Sequence, residues 1–438
     1  MQGLLRTVGR WQLVGLSIND VVGSGIYLLP AAAAALLGPA SVWAVLVAGA
    51  AAALLVLCYA QAASCFDRPG GGYLYAREVF GPFVGFEVGW MLLLTRVATA
   101  AALANGLAAA VSHAWPAAGA GPLRVAIVTT AIVALAWLNY RGVRGAARTA
   151  AVLAVAKLLP LALFVGLGAL AAGALAGGPS ADAIPGGRQS LGELPPGDLG
   201  RAALLLLFAY AGFENMPAAA GEYRNPRRDV PFALLSMIAI VTAVYVSVQW
   251  VALATLPGLA TSTTPLADAA ARFGGASLAG LLTIGAAVSI IGTANNTLLL
   301  GPRYLHAMAA DGFGPRGLAA VHPRFQTPAV AIAVLALASL LLAWSGSFVQ
   351  LALLSVVARL CTYITTAAAV LELRRRDDVG VRLPGGAAIP VAALLLSVGL
   401  LASATPGNLV AAGLALVAGA VVYRFRRPPE PAGSAGTA

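Results

Sequence analysis

Two stretches place glycine and polar residues inside strongly apolar sequence. The first is Asn19–Pro30 (NDVVGSGIYLLP), with Gly-Ser-Gly at its centre, and the second is Phe208–Pro217 (FAYAGFENMP), which combines Gly, Glu, Asn and Pro. Because glycine and proline lower helix propensity, each stretch predicts an interrupted helix. If both cross a membrane, the interrupted backbone has to line a cavity or lie buried in protein. Paired breaks of this kind are typical of a binding site for a small solute.

The chemistry of such breaks suits a zwitterion. A half-helix that begins at Ser24–Gly25 directs free amides and the positive end of its dipole at an anion such as a carboxylate. Unwound carbonyls on both stretches can accept hydrogen bonds from an ammonium group. The alternative for the first stretch alone is that Gly-x-Gly lets two helices approach closely. The predicted substrate-binding residues are Val21, Gly23, Ser24, Gly25, Ile26, Phe208, Ala209, Ala211 and Gly212.

Lys157 is the most informative ionisable residue in the apolar sequence. It is the only lysine, whereas the other 26 basic side chains that make up the Lys+Arg total are arginines. A charge at the centre of a span costs about 2.5–3.5 kcal/mol, so each one is a functional candidate. A compact ammonium can also lose its proton, which a guanidinium does not do. Lys157 is therefore predicted to couple proton movement to the function, and the alternative is a static or snorkelling residue.

Five further ionisable residues lie within apolar runs. Glu214 is predicted either to titrate or to form a fixed hydrogen-bonded anchor for the second break. Asp20 is expected to neutralise Lys157, to carry a proton or to approach a cationic substrate, and the sequence does not choose among these. Arg96 and Arg359 are predicted to tie helices together or to form gate pairs, and Glu87 is expected to reach the membrane interface.

Composition identifies the environment that must position these residues. Of the 438 residues, 60% are hydrophobic and only 10% are charged, against about 45–50% and about 25% in soluble domains. These values exclude a soluble enzyme and a disordered protein. The net charge of +11 is not gathered into a basic patch, so no nucleic-acid partner is expected. The chain is predicted to be a polytopic, all-α integral membrane protein whose partner is the lipid bilayer.

Twelve apolar stretches are long enough to span a bilayer, which requires roughly 20 residues. They lie near 11–36, 41–65, 83–112, 122–140, 149–174, 200–221, 230–256, 277–309, 327–344, 347–372, 388–403 and 408–425. Residues 175–199 are predicted to be a Gly/Pro-rich linker, and residues 428–438 a disordered tail. The whole chain, 1–438, is expected to form one domain.

Arginine placement predicts the orientation. Twenty arginines fall in segments on the same side as the N-terminus and four on the other side, so both termini are predicted to be cytoplasmic. The three cysteines lie in or beside apolar spans, which argues against a disulfide framework. His113, His306 and His322 lack ligand spacing, so no metal and no cofactor is expected.

Three motifs together carry a family resemblance. They are Asn19–Pro30, Phe208–Pro217 with its continuation Ala220–Pro231 (AGEYRNPRRDVP), and Pro302–Gly312 (PRYLHAMAADG). Their order and spacing resemble those of the amino acid–polyamine–organocation (APC) superfamily of permeases. The likeness covers spans one to ten, whereas spans eleven and twelve match in number and hydropathy only.

This resemblance implies a LeuT-like fold. Residues 11–174 and 200–372 would form two inverted repeats of five helices, with helices one and six discontinuous, and 388–427 would add two C-terminal helices. The site would lie between spans 1, 3, 6, 8 and 10, with Phe208 as an aromatic gate. Lys157 resembles a span-five lysine that takes the place of a coupling sodium in some members. It would then bridge span one to span eight near Ser289 or Thr293.

The expected function is secondary active transport of an amino acid across a bacterial inner membrane by alternating access. A neutral substrate with proton coupling is favoured, with its side chain near Ala104, Asn296, Thr297 and Ser355. The alternatives are an amino acid exchanger, a cationic amino acid or polyamine antiporter and, outside transport, a nutrient sensor. Motifs of a membrane enzyme, HExxH and GxSxG among them, are absent from the sequence. Either a monomer or a dimer is compatible with the sequence.

Overall fold

The computed structural model describes residues 9–66, 70–112, 114–141, 146–175, 196–325, 327–376, 381–382 and 385–425. Within these ranges the chain forms fourteen α-helices and no β-strand. The helices are α1 (Arg10–Val21), α2 (Ser24–Leu37), α3 (Ser41–Cys65), α4 (Gly71–Phe80), α5 (Pro82–Val111), α6 (Gly121–Arg141), α7 (Ala146–Leu175), α8 (Pro196–Tyr210), α9 (Pro226–Thr255), α10 (Pro265–Ala310), α11 (Ala329–Ser345), α12 (Phe348–Leu373), α13 (Ala388–Ala402) and α14 (Pro406–Arg424).

Length and apolar composition qualify eight helical segments of the described chain as membrane spans. One of them, Ser24–Cys65, contains both α2 and α3, and the shorter apolar helices α11 and α13 come in addition. An α-helix satisfies its own backbone hydrogen bonds, which is why long apolar helices are stable in lipid. The prediction of an all-helical membrane protein is therefore confirmed.

Both predicted interruptions are present. Between α1 and α2, Val22 takes an extended conformation and Gly23 leaves the helical region (φ −126°, ψ −147°). After α8, Gly212 has φ +130°, a conformation that side chains with a Cβ rarely adopt. The chain then continues as a 3₁₀ helix, Phe213–Glu222, rather than as the α-helix expected to reach residue 221. Pro217 lies inside this segment and lacks the amide that a regular helix would use.

Three other elements differ from the sequence prediction. Helix α4 lies between the second and third spans, where no helix was predicted, because ten mixed residues give no spanning signal. Helix α10 begins at Pro265, twelve residues before the predicted start of its span at 277. It kinks at Gly275, where φ is +63°. Helix α8 begins at Pro196, inside the predicted linker. The rest of that linker, 176–195, and the tail from 426 onward lie outside the described residues.

The two interrupted segments lie at the centre of the bundle. Helix α2 packs on α8, and α3 packs on both α8 and α9. Helix α5 packs against both α10 and α12 and lies between them. The breaks are thereby surrounded by helices, so their exposed amides and carbonyls are shielded from lipid.

Candidate functional site

The first break leaves backbone groups open on a buried cavity. The Val22 carbonyl accepts a hydrogen bond from Ser289 Oγ at 3.0 Å. Helix α2 begins at Ser24 with no side chain capping its first amides. The Ser24 hydroxyl is fully buried and has no partner among the described residues. The start of α2 therefore offers free donors to a ligand.

Close packing accounts for the glycines at both breaks. A Cβ on Gly25 would lie 2.6 Å from the Ala209 Cα on α8, and one on Gly212 would lie 2.8 Å from the Asp20 carbonyl oxygen. The two breaks are thus in direct contact. Close helix approach, the alternative considered for Gly-x-Gly, applies at Gly25, while Gly23 provides the non-helical backbone.

Tyr245 on α9 joins the two breaks. Its hydroxyl lies 3.0 Å from the Ala209 carbonyl oxygen and 3.4 Å from that of Val21. One hydroxyl hydrogen serves both carbonyls, so each oxygen keeps acceptor capacity.

The cavity is bounded by residues of five helical segments. The first break contributes Asp20, Val21, Gly23, Ser24 and Gly25, and the second contributes Phe208, Ala211, Gly212 and Asn215. The remaining lining residues are Arg96, Thr99 and Leu103 on α5, Thr293 and Thr297 on α10, and Arg359 on α12. Seven of the nine predicted substrate-binding residues are among them. Ile26 and Ala209 are buried but do not line this cavity. Ile26 lies further along α2, and Ala209 is occupied by its contact with Gly25.

The predicted side-chain pocket is distributed differently. Thr297 lines the cavity, and Asn296 donates to the Asp20 carboxylate. Ser355 lies behind the lining, where its hydroxyl is 2.6 Å from that of Thr99. Ala104 lines a neighbouring apolar cavity between α5, α6 and α10 instead, because it is one residue further along α5 than the lining residue Leu103.

Lys157 lies beside the first break and is fully buried. Its ammonium donates to the Asn19 carbonyl oxygen at 2.8 Å and to Thr293 Oγ1 at 3.1 Å, so it connects α7 to α1 and α10. Both acceptors are neutral. Ser289, the other expected partner on α10, bonds to Val22 and not to Lys157.

Glu214 lies at the second break in a cluster of donors. Its Oε1 accepts from Arg359 at 2.7 Å and lies 3.5 Å from Arg96, and its Oε2 accepts from Tyr363 and from the Gly212 amide, both at 3.0 Å. The geometry is that of the anchor, the second of the two predicted roles.

Asp20 is held by amides rather than by Lys157. Its carboxylate accepts from Asn215 at 2.7 Å and from Asn296. Asn215 in turn accepts from Arg96, so a continuous polar chain connects α5 to both breaks.

An aromatic pair separates the cavity from a wider vestibule. Phe208 lines the cavity, Phe348 lines the vestibule, and the two rings meet edge to face at 5.8 Å. The vestibule lies where α5 and α11 end and α6 and α12 begin. Phe208 therefore lies between the cavity and the vestibule, and its role as a gate stays a prediction.

Glu87 lies near the start of α5 and faces α14. Both of its carboxylate oxygens are buried without a partner among the described residues. Helix α14 crosses α5 so closely here that a Cβ on Gly419 would lie 2.6 Å from Glu87 Oε2. Helix α14 therefore covers this face of α5, and the expected position of Glu87 at the membrane interface stays a prediction.

Sequence reasoning missed several members of the site. Thr99 and Asn215 line the cavity, and Tyr245 and Tyr363 hold its breaks, although none of them had been predicted. The signal available was a polar residue within an apolar span, which Thr, Asn and Tyr give only weakly. Within the described chain, no group of three or more His, Cys, Asp and Glu could hold a metal ion.

The fold and this cavity together define a class: a polytopic helical membrane protein with a buried cavity at two interrupted helices. Residues 8–423 match the family model described as amino acid permease. The chain belongs to this family. Its relatives are amino acid permeases of the APC family, which is the family that the motifs implied.

Three full-length relatives show the range of the family. The branched-chain amino acid permease of Bacillus subtilis is 27% identical over 96% of this chain and 93% of its own length. An uncharacterized transporter of Mycobacterium tuberculosis is 31% identical, with 97% and 92% covered. The serine/threonine exchanger of Bacillus subtilis is 28% identical, with 95% of each chain covered.

Proposed function

We propose that this amino acid permease is a secondary active transporter that binds its substrate at the paired breaks and moves it by alternating access. The observation that carries the proposal is the start of α2, whose uncapped amides and unpartnered Ser24 hydroxyl face the cavity. A carboxylate there meets both the amides and the positive end of the helix dipole.

The substrate ammonium has acceptors in the lining of the same cavity. The Val21 carbonyl has spare acceptor capacity, and the Asp20 carboxylate lines the same cavity. Carboxylate and ammonium groups of an α-amino acid are thus both matched. Arg96 and Arg359 line the cavity as well, and their charges disfavour a cationic side chain. We therefore propose a neutral amino acid over a cationic one or a polyamine.

The helix contacts support twelve spans arranged as five plus five with two further helices. Taking α1–α2 as span one and α8 with the following 3₁₀ helix as span six, α2 packs on α8, α3 on α9, α5 on α10, and α6 on α11. Each pair joins helices at equivalent positions of the two repeats. Such pairing is expected when a two-fold axis relates the halves.

Lys157 is proposed to couple protons to transport. Its ammonium connects the first break to α10 through neutral acceptors alone, so loss of the proton weakens a tie between α1 and two other helices. Movement of α1 relative to α10 would then follow the protonation of Lys157. Exchange of one amino acid for another is the rival mode, which the name of the serine/threonine exchanger among the relatives supports.

Uptake of radiolabelled amino acids into proteoliposomes tests the proposal. Uptake is expected to rise when an inward proton gradient is imposed, and Lys157→Gln is expected to abolish this rise. The matched control is Arg303→Gln, which alters a half-buried basic residue on α10 outside the cavity. Gradient-independent uptake that requires preloaded amino acid would establish exchange, and absence of any uptake alongside measurable binding would indicate a sensor.

Orientation requires a separate assay. Both termini are proposed to face the cytoplasm of a bacterial inner membrane, in which case the vestibule opens outward. A protease site added at the C-terminus should then be cleaved only from the cytoplasmic side.

A further inference from the structure

Two buried arginines share one carboxylate at the edge of the cavity. Arg96 and Arg359 are each 2% exposed, and both bind Oε1 of Glu214. The four acceptor positions of this carboxylate are occupied, since Tyr363 and the Gly212 amide donate to its other oxygen. Glu214 therefore has no capacity left for further donors.

The remaining donors of the two guanidinium groups are only partly matched. Arg359 also donates to the Thr99 hydroxyl at 3.2 Å, and Arg96 to the Asn215 side chain. The Nε–H groups of both arginines are buried and have no acceptor among the described residues. A buried donor without an acceptor is costly, and both of these belong to side chains that line the cavity, which points to an acceptor supplied by a ligand.

The protein's own carboxylates do not meet this need. Asp20, the other acid of the cavity, accepts from Asn215 and Asn296 instead. The lining thus holds two guanidinium groups and one carboxylate, and this carboxylate is bound to amides.

We propose that the transported amino acid carries an oxygen acceptor in its side chain, which the Arg96–Arg359 pair binds. The inference rests on the proposed function and narrows its substrate class, because that function already assigns partners at the first break to the α-carboxylate and the ammonium. Hydroxyl, carboxamide and carboxylate side chains share this acceptor chemistry. An aliphatic side chain would cover the guanidinium groups and leave their donors unmatched.

Isosteric amino acids separate shape from acceptor chemistry. Threonine and valine form one series, and asparagine, aspartate and leucine form the other. A site built for hydrogen bonding rejects an analogue without the acceptor far more strongly than an apolar pocket rejects a missing methyl group. We therefore expect the half-saturation concentration to be at least about tenfold lower for threonine than for valine, and for asparagine than for leucine. Radiolabelled uptake and ligand-induced thermal stabilisation of the purified protein are measured with all five.

The outcomes distinguish this inference from the function on which it rests. Valine and leucine matching or exceeding their oxygen-bearing counterparts would overturn it while leaving amino acid transport intact. Aspartate binding more tightly than asparagine would uphold the oxygen acceptor but contradict a neutral substrate. Absence of uptake and stabilisation by every amino acid with an oxygen-bearing side chain would refute this inference, and their absence with all twenty amino acids would refute the function as well.

Arginine variants test the residues. Arg359→Lys and Arg96→Lys each keep a positive charge beside Glu214 but lose the guanidinium donors, so the asparagine-to-leucine preference should fall severalfold. Arg303→Lys, outside the cavity, should leave this ratio unchanged. Equal losses for both substrates, with the ratio preserved, would show a purely structural role. The wild-type series decides the question should either cavity variant fail to fold.

Discussion

Lys157 and Glu214 are both fully buried ions beside an interrupted helix, yet their surroundings differ. Lys157 donates to two neutral oxygens, the Asn19 carbonyl and the Thr293 hydroxyl. Glu214 accepts from two guanidinium groups, a tyrosine hydroxyl and a backbone amide. The ion beside the first break therefore has neutral partners, whereas the ion at the second break belongs to a cluster of charged groups.

This difference separates a group that can change its charge from one that cannot. Protonating Glu214 would leave two buried guanidinium groups without their shared counter-ion, and such uncompensated charge is strongly unfavourable. A lysine amine that loses its proton leaves no other ion unpaired in its immediate contacts. The second break is thus suited to permanent anchoring, and the first to a switch.

The largest effect is expected from Glu214→Gln, which keeps the shape of the side chain and removes its charge. Both arginines then lose their counter-ion, and breaking a buried pair from one side costs about 3–5 kcal/mol. Thermal unfolding of the detergent-purified protein measures the loss.

Glu372→Gln is the control for this comparison. Glu372 is exposed and pairs with Arg375 at 2.9 Å, so its removal should cost no more than about 1 kcal/mol. Equal unfolding temperatures for the two variants would contradict the description of Glu214 as an anchor.

The sequence identified the positions of these charges better than their partners. Lys157 stood out as the only lysine, and Glu214 as an acid beside a break. The side chains that bind Glu214 come from α5 and α12, more than a hundred residues away on either side in the chain. Periodicity and composition carry no information about which distant side chains meet, so the arginine pair could only be described as helix ties or gate pairs.

The fold was predictable where a single physical rule decides it. Apolar runs of about 20 residues predict spanning helices, and the Gly-Ser-Gly run predicted the break after α1 to within a residue. Helix α4 gave no such signal because it is short and mixed in polarity. The segment before Gly275 was missed for a related reason, since it contains Asp268 and Arg272 and precedes the apolar run.

A smaller effect on stability is expected from Lys157→Met, which removes the ion and keeps an unbranched side chain. The Asn19 carbonyl and the Thr293 hydroxyl lose a donor, and unmatched buried polar groups cost about 1–3 kcal/mol. Uptake should at the same time become insensitive to the proton gradient. A loss of stability larger than that of Glu214→Gln would reverse the proposed distinction.

Single hydroxyl deletions compare the two clusters more finely. Tyr363→Phe removes one of four donors to Glu214, and Thr293→Val removes one of two acceptors of Lys157. Because each bond involves a charged group, each variant should lose about 1.5 kcal/mol of stability. Only Thr293→Val is expected to change the response of uptake to the proton gradient. An altered response in Tyr363→Phe would mean that the anchor also participates in coupling.

The smallest effect is expected from Ser289→Ala. Ser289 was predicted to contact Lys157, but its hydroxyl donates to the Val22 carbonyl, and a neutral hydrogen bond of this kind contributes about 0.5–1.5 kcal/mol. The variant should therefore lose a little stability and keep its full dependence on the proton gradient, as measured by the same uptake assay. Loss of that dependence would show that the Val22 carbonyl, and not only the ammonium of Lys157, controls the first break. The contrast between a switch held by one ion and an anchor held by several would then no longer hold.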